Sequence, residues 1–321
     1  MRIILMMSLC VLSDVFAAAE TQALCYPGAS PGEAVIALSE DAINLKSNAL
    51  SAEWSIADNR LRLVSFSDRR GTPENVAENG ELFLIRLTDG HTLNASDFTL
   101  SNAPVSERIA GRDNARRLAE RYGGVRVSAT LQSPDETFSV VWEAGLRDES
   151  NYVAQRVTLL PTSRELHLDT LTLIHLDAQA AKVAGVTQGA PVTATNLFFA
   201  LEHPMSESAV ADNRVSCSLR RGAALAAGRK LTLSSVMGVT PPEQLRRGFL
   251  YYVERERAHP YRPFLHYNSW YDIAWADRKF NEAEALAAID LIRGSRPLSV
   301  YLPTTALCAS SHFTSPLSVR S

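Results

Sequence analysis

Leu166-His167-Leu168-Asp169-Thr170-Leu171-Thr172-Leu173-Ile174-His175-Leu176 is the stretch that decides the fold. Side chains alternate here with a period of two. Leu166, Leu168, Thr170, Thr172, Ile174 and Leu176 fall on one side, and His167, Asp169, Leu171, Leu173 and His175 on the other. A period of two over that length specifies a strand, not a helix. The same pattern spreads outward. Downstream lie Asn196 to Leu201, Arg214 to Arg220 and Lys230 to Val239. Upstream lie Tyr152 to Leu160, Phe138 to Leu146, and Val125 to Leu131, where Val125, Val127, Ala129 and Leu131 share a face. Leu82 to Thr88, Arg60 to Ser67 and Ala49 to Ile56 complete the series, with Asp58-Asn59 and Asp89-Gly90 as turns. Many strands with short polar connections predict a mainly β fold, a large antiparallel sandwich of two packed sheets. One weak helical pattern, Asn114 to Tyr122, interrupts it.

The pattern changes at Pro241-Pro242. Leu245, Phe249 and Tyr252 recur at helical spacing, which predicts an amphipathic linking helix over Glu243 to Arg257, with Glu243 in its first turn. Phe264 to Asn268 then reads as a short strand. A second helix opens at Asn281, whose side chain can cap it with Glu284 as the capping-box partner. Leu286, Ile289 and Ile292 form its apolar stripe. Helix, strand, loop and helix is the opening of a repeating βα domain.

The two ends differ from the body. Met1-Arg2, an apolar run from Ile3 to Leu12, and Ala17-Ala18-Ala19 have the layout of a secretory signal peptide over residues 1–19. Cleavage after Ala17 or Ala19 fits, and the run is too short for a spanning helix, so no membrane span remains afterwards. The mature chain is therefore expected outside the cytoplasm, in the periplasm or beyond. Residues 293–321 lose all periodicity, and Gly294 to Ser321 contains neither Asp nor Glu. That segment reads as disordered or as a tail foreign to the preceding domain, such as a frameshift produces.

The charge balance excludes some functions. A formal charge of −3 over 321 residues, with both signs interspersed, leaves no basic patch for nucleic acid. Export would leave Cys25, Cys217 and Cys308, an odd number that argues against a disulfide framework. A Cys25–Cys217 pair stays open in an oxidising compartment, and isolated thiols are the simpler reading. No HExxH or CxxC spacing marks a metal, and no motif implies a cofactor. His167, Asp169 and His175 share a face without a further ligand. Ser310, Ser311 and His312 lack an orienting carboxylate.

Pro260-Tyr-Arg-Pro-Phe-Leu-His-Tyr-Asn-Ser-Trp-Tyr-Asp272 resembles the first barrel strand of melibiase-like enzymes, the α-galactosidases of glycoside hydrolase families twenty-seven and thirty-six in clan D. Gly189-Ala-Pro-Val192 and Asn196-Leu-Phe-Phe-Ala-Leu-Glu-His-Pro204 resemble a bacterial branch of that group whose members are often labelled enterotoxin. The resemblance spans roughly Ala49 to Ile292. It implies a supersandwich-like β domain over residues 20–240. A linking helix and the first βα unit of an incomplete (β/α)8 barrel would follow over residues 241–292. It also implies a sugar-binding role for Trp270, whose indole offers an apolar face and an N–H donor. Asn268 and Asp272 are candidate contacts to sugar hydroxyls. The implied partner is a galactoside-type glycan.

A retaining glycosidase needs two carboxyl groups about 5–5.5 Å apart. In the family these come from later barrel strands. The last carboxylate of this chain is Asp290, and a whole barrel takes about 250 residues. The expectation is therefore the N-terminal part of an α-galactosidase-like enzyme, without catalytic residues and without hydrolysis. The alternative is a non-catalytic carbohydrate-binding or surface-interaction protein built on the sandwich. Glu202-His203-Pro204 reads as a strand end with a proline stop in preference to a ligand contact.

Overall fold

The computed structural model describes residues 24–70, 80–259 and 281–294. The chain divides into two units, Met1–Pro260 and Tyr261–Ser321. The signal segment, Phe264 to Asn268, Trp270, Asp272 and the tail beyond residue 294 lie outside the described residues.

Among the described residues, three antiparallel sheets build the first unit. One is a meander of β1 (Val35–Leu38), β2 (Ala42–Lys46), β3 (Leu50–Ala57) and β4 (Arg60–Asp68). A five-stranded sheet contains β5 (Leu84–Leu87), β6 (Thr92–Asn94), β12 (Leu166–Asp177), β16 (Glu207–Ala211) and β17 (Arg214–Leu225), in the order β16-β17-β12-β5-β6. Single bridges Leu63–Gly80 and Glu81–His175 tie these two sheets together.

The third sheet has nine strands. Its centre is formed by β9 (Gly124–Gln132), β10 (Phe138–Arg147), β11 (Tyr152–Pro161) and β18 (Leu231–Val239). Beyond β18 come β15 (Leu197–Leu201), β14 (Val192–Ala194) and β13 (Ala181–Val183). At the other end, β7 (Thr99–Leu100) and β8 (Val105–Ile109) both pair with β9.

The main core lies between the nine-stranded sheet and the other two. Trp54 of β3 meets Trp142 of β10 edge-on at 5.2 Å, and Phe66 of β4 meets Phe199 of β15 at 6.3 Å. Phe98 bridges Phe83 and Phe138, at 5.1 and 5.6 Å. All seven rings are buried. Edge-to-face pairs of this kind add about 0.5–1.5 kcal/mol each beyond their area. The sandwich expected from the strand pattern is therefore closed by aromatic contacts between its layers.

One expectation needs correction. In β12 the two faces do not run unbroken from Leu166 to Leu176. Bulges change the register between Leu168 and Thr170 and again between Thr172 and Ile174. A bulge inserts one residue against the partner and reverses the parity of all that follow. Leu171 and Leu173 are therefore buried together with Leu168, Ile174 and Leu176. Thr170 and Thr172 instead line a hollow on the sheet's outer side.

Cys217 of β17 is a buried thiol, 3.7 Å from Ser208 Oγ, so no Cys25–Cys217 disulfide is formed. Burial pushes this thiol from 9.0 up to about 11. Below pH 9 it is protonated in both the folded and the unfolded chain. Above that, only the unfolded chain gives up its proton, so stability falls as pH rises towards 11. The expected loss is about 2–3 kcal/mol. Urea unfolding at a series of alkaline pH values should show this slope in the parent, and Cys217→Ala should lack it. Equal slopes would refute the buried-thiol assignment.

Candidate functional site

The linking helix α1 (Leu245–Glu256) forms as the spacing predicts but starts two residues late. Glu243 has φ +60°, a left-handed conformation that cannot enter a helix, so it is not in the first turn. Gln244 takes the N-cap position instead. The face turned inward carries Gly248, Tyr251, Tyr252 and Arg255, flanked by Phe249 and Val253. It lies on the outer side of the nine-stranded sheet, where Tyr152, Phe198, Ala200 and Val236 form a second apolar cluster.

Polar bonds fix this helix at both sides. Tyr252 Oη donates to Glu202 Oε1 at 2.6 Å, and Tyr152 Oη donates to Glu256 Oε1 at 2.6 Å. Burial, then the adjacent carboxylate, raises both tyrosines above the ordinary phenol value. Both therefore remain hydrogen-bond donors at neutral pH. Arg255 is fully buried. It donates to the Asp148 carbonyl at 2.9 Å and to Tyr251 Oη at 3.2 Å, and its guanidinium sits 4.2 Å from the centre of the Tyr122 ring. Asn151 Nδ2, also buried, reaches the carbonyls of Val239 (2.6 Å) and Gly248 (3.2 Å), joining the last strand to the helix. A buried cation needs such partners, because leaving it unpaired costs several kcal/mol.

A cleft of about 150 Å³ opens beside α1, on the outer face of β9, β10 and β11. Four arginines line it, Arg117, Arg126, Arg147 and Arg156, with four glutamates, Glu120, Glu143, Glu202 and Glu256. Every one of these carboxylates has a partner. Glu143 lies between Arg126 (3.5 Å) and Arg156 (3.6 Å), and Glu256 also meets Arg117 at 3.2 Å. Glu120 pairs with Arg112 at 2.5 Å, and Glu202 accepts from Tyr252. The cleft is an ion-pair lattice that clasps the helix. Its acids are engaged by arginine or tyrosine side chains of the sheet and the helix.

Asn268, Trp270 and Asp272, the residues the sequence put forward, lie outside the described residues. The sequence reads Glu202 as a plain strand end, yet its side chain anchors a helix that begins more than forty residues later. No sequence pattern points to Tyr152, Arg255 or Glu256. Their partners are distant in the chain, and no local spacing signals them. Among the described residues no three His, Cys, Asp or Glu side chains gather as a metal site. Both carboxylate oxygens of Asp169 are taken by Arg86 and Arg220. The hydrogen bond from Arg86, then that from Thr170, holds its carboxyl below the usual range. Among the described residues no helix is long and apolar enough to cross a membrane.

No protein-family model and no curated protein matches the sequence. Several solved structures resemble the fold. An alpha-galactosidase from Lactobacillus brevis aligns over 78% of this chain and 47% of its own, with TM-score 0.49 and 11% identity. The GH36 alpha-galactosidase of Geobacillus stearothermophilus aligns over 65% and 41%, with TM-score 0.42 and 8% identity. A Klebsiella pneumoniae protein described as an aldose 1-epimerase aligns over 67% and 82%, with TM-score 0.42 and 8% identity. The chain thus spans less than half the length of these alpha-galactosidases, and at such scores the likeness is one of shape and carries no activity with it.

Proposed function

We propose that this protein is a glycoside-hydrolase-related sandwich domain whose linking helix leads into a sugar-binding segment, and that it does not itself hydrolyse glycosides. The observation that carries this reading is the docking of α1. Two tyrosine–glutamate bonds and the buried Arg255 lock the helix to the sheet, and the chain leaves it only a few residues before Pro260. The Pro260 to Asp272 segment follows at once, with its resemblance to the first barrel strand of α-galactosidases. In this reading Trp270 stacks on an α-linked galactoside, while Asn268 and Asp272 contact its hydroxyls. The ion-pair lattice beside α1 supports the non-hydrolytic part, because its four glutamates are engaged by arginine or tyrosine. Residues 1–19 are the export signal in the same proposal, and the mature protein works in the periplasm or outside the cell.

Calorimetric titration of the full chain with raffinose tests the binding role. Weak binding that Trp270→Ala reduces at least tenfold is the expected result, since indole–ring contact and one hydrogen bond together exceed about 1.4 kcal/mol. Binding unchanged by that substitution would remove Trp270 from the site. p-Nitrophenyl α-galactoside should show no turnover above the blank. Turnover that co-purifies with the chain would overturn the non-hydrolytic reading. N-terminal sequencing after expression in a bacterial host should begin at residue 18 or 20.

A further inference from the structure

The outer face of the five-stranded sheet carries a hollow of about 380 Å³ that plays no part in docking the helix. Its floor is two cross-strand rows. Thr92, Arg86, Thr170 and Arg220 are direct partners across β6, β5, β12 and β17. Leu84, Thr172, Ser218 and Glu207 form the next row across β5, β12, β17 and β16. Directly opposed residues project to the same side. Neighbouring strands lie about 4.8 Å apart and same-side residues along a strand about 7 Å apart. The side chains therefore form a grid on the scale of one sugar ring. The bulges of β12 create it, because without the change of parity leucines would face outward here.

Two features identify the ligand's chemistry. The first is charge. Asp169 takes Arg86 through two guanidinium nitrogens, at 2.5 and 2.7 Å, and Arg220 at 3.5 Å. With Glu207 on the rim, two cations meet two anions, so the face does not select a free anion. The second is unused hydrogen-bonding capacity. Among the described residues, the side chains of Thr172, Ser218 and Glu207 make no hydrogen bond to protein, and all three line the hollow with their polar atoms open to it. Leu84 supplies an apolar patch beside them.

We propose that this face binds a neutral polyhydroxylated ligand, one or two units of a saccharide. Thr172, Ser218 and Glu207 bond its hydroxyls, and Arg86 and Arg220 offer their remaining N–H groups. The volume lies in the usual range for small-ligand pockets, about 300–1,000 Å³. The proposal does not depend on Trp270.

The test is calorimetric titration of the full chain carrying Trp270→Ala, so that heat reports on the sheet face alone. The probes are raffinose, methyl α-glucoside and N-acetylglucosamine, with phosphate and citrate as anionic comparators. At least one neutral sugar should bind at millimolar concentration. Thr172→Val and Arg220→Met should each weaken that binding by roughly tenfold, the usual scale for one hydrogen bond in a ligand site. Thr158→Val, on the other sheet where Thr158 bonds only Thr232, should leave it unchanged. Circular dichroism melting confirms that each variant folds. Binding of the anions alone, binding of no probe, or binding indifferent to both site variants would each overturn the proposal. The change in raffinose affinity from the parent to Trp270→Ala reports on Trp270, whereas the effects of Thr172→Val and Arg220→Met within the Trp270→Ala chain report on the sheet face.

Discussion

Replacing Trp142 with alanine is expected to lower the unfolding free energy by about 5 kcal/mol. Trp142 stands in the middle of β10 and is fully buried. Its ring meets Trp54 across the layers at 5.2 Å and 66°, and its Nε1 donates to Gln155 Oε1 at 3.2 Å. Large-to-small replacement of a buried tryptophan costs about 3–5 kcal/mol through lost contacts and the cavity left behind. Loss of the edge-on pair adds about 1 kcal/mol. The buried Gln155 amide would also lose its partner, a further cost of about 1–3 kcal/mol if nothing replaces it. A whole domain is held by only about 5–15 kcal/mol, so the variant should be partly unfolded at 37 °C. Urea unfolding followed by near-ultraviolet dichroism checks this, and a loss under about 1 kcal/mol would mean that the two layers are not packed through these rings. Trp54→Phe is the instructive contrast. Trp54 Nε1 is buried with no hydrogen-bond partner among the described residues. Removing that orphaned donor offsets part of the lost volume, so this variant should cost far less than its neighbour's.

Gly238→Ala is expected to cost about 3 kcal/mol although it adds a single methyl group. Gly238 of β18 pairs directly with Phe198 of β15. A Cβ at Gly238 would lie 2.0 Å from the Phe198 ring, which is fully buried and has nowhere to retreat. The ring in turn supports Phe249 at 5.2 Å and Tyr252 at 5.5 Å, both on α1. The substitution should therefore loosen the helix as well as the sheet. Amide exchange over Leu245–Glu256 should quicken, while exchange in β9 and β10 changes little. The double variant Phe198→Ala/Gly238→Ala should be less unstable than the sum of the two single changes, because removing the ring removes the clash. Strict additivity would show that the ring and the glycine do not share that space.

Those two contacts also show what the sequence could disclose. Val125 to Leu131 and Tyr152 to Leu160 came out within a residue or two of β9 and β11, because neither strand contains a bulge and each buries one face. Leu166 to Leu176 came out as a strand with its faces misassigned. A bulge is a relation between two strands, and β12's own residues carry no mark of it. Short strands such as β6, β13 and β14, three residues each, are too brief for any period to register. Asn114 to Tyr122 has helical spacing but forms only a 3-10 turn over Leu118–Arg121. Its Arg117 and Tyr122 are drawn instead to Glu256 and Arg255 of α1. Asn281 does cap α2 (Glu282–Gly294) as its pattern implied, with Oδ1 accepting from the Glu284 amide at 3.0 Å. Capping is local and so was legible. The anchoring of α1 by Glu202 and Tyr152 was not, since it depends on which strands become neighbours.

The paired kinks in β12 have an evolutionary corollary. They separate, within one strand, the positions that keep the interior dry from those that meet solvent. Exchanging Thr170 or Ser218 for another small polar residue should shift stability by no more than about 0.5 kcal/mol. The outward surface is therefore free to drift towards new partners while the leucines behind it stay fixed, so recognition and endurance can be inherited separately.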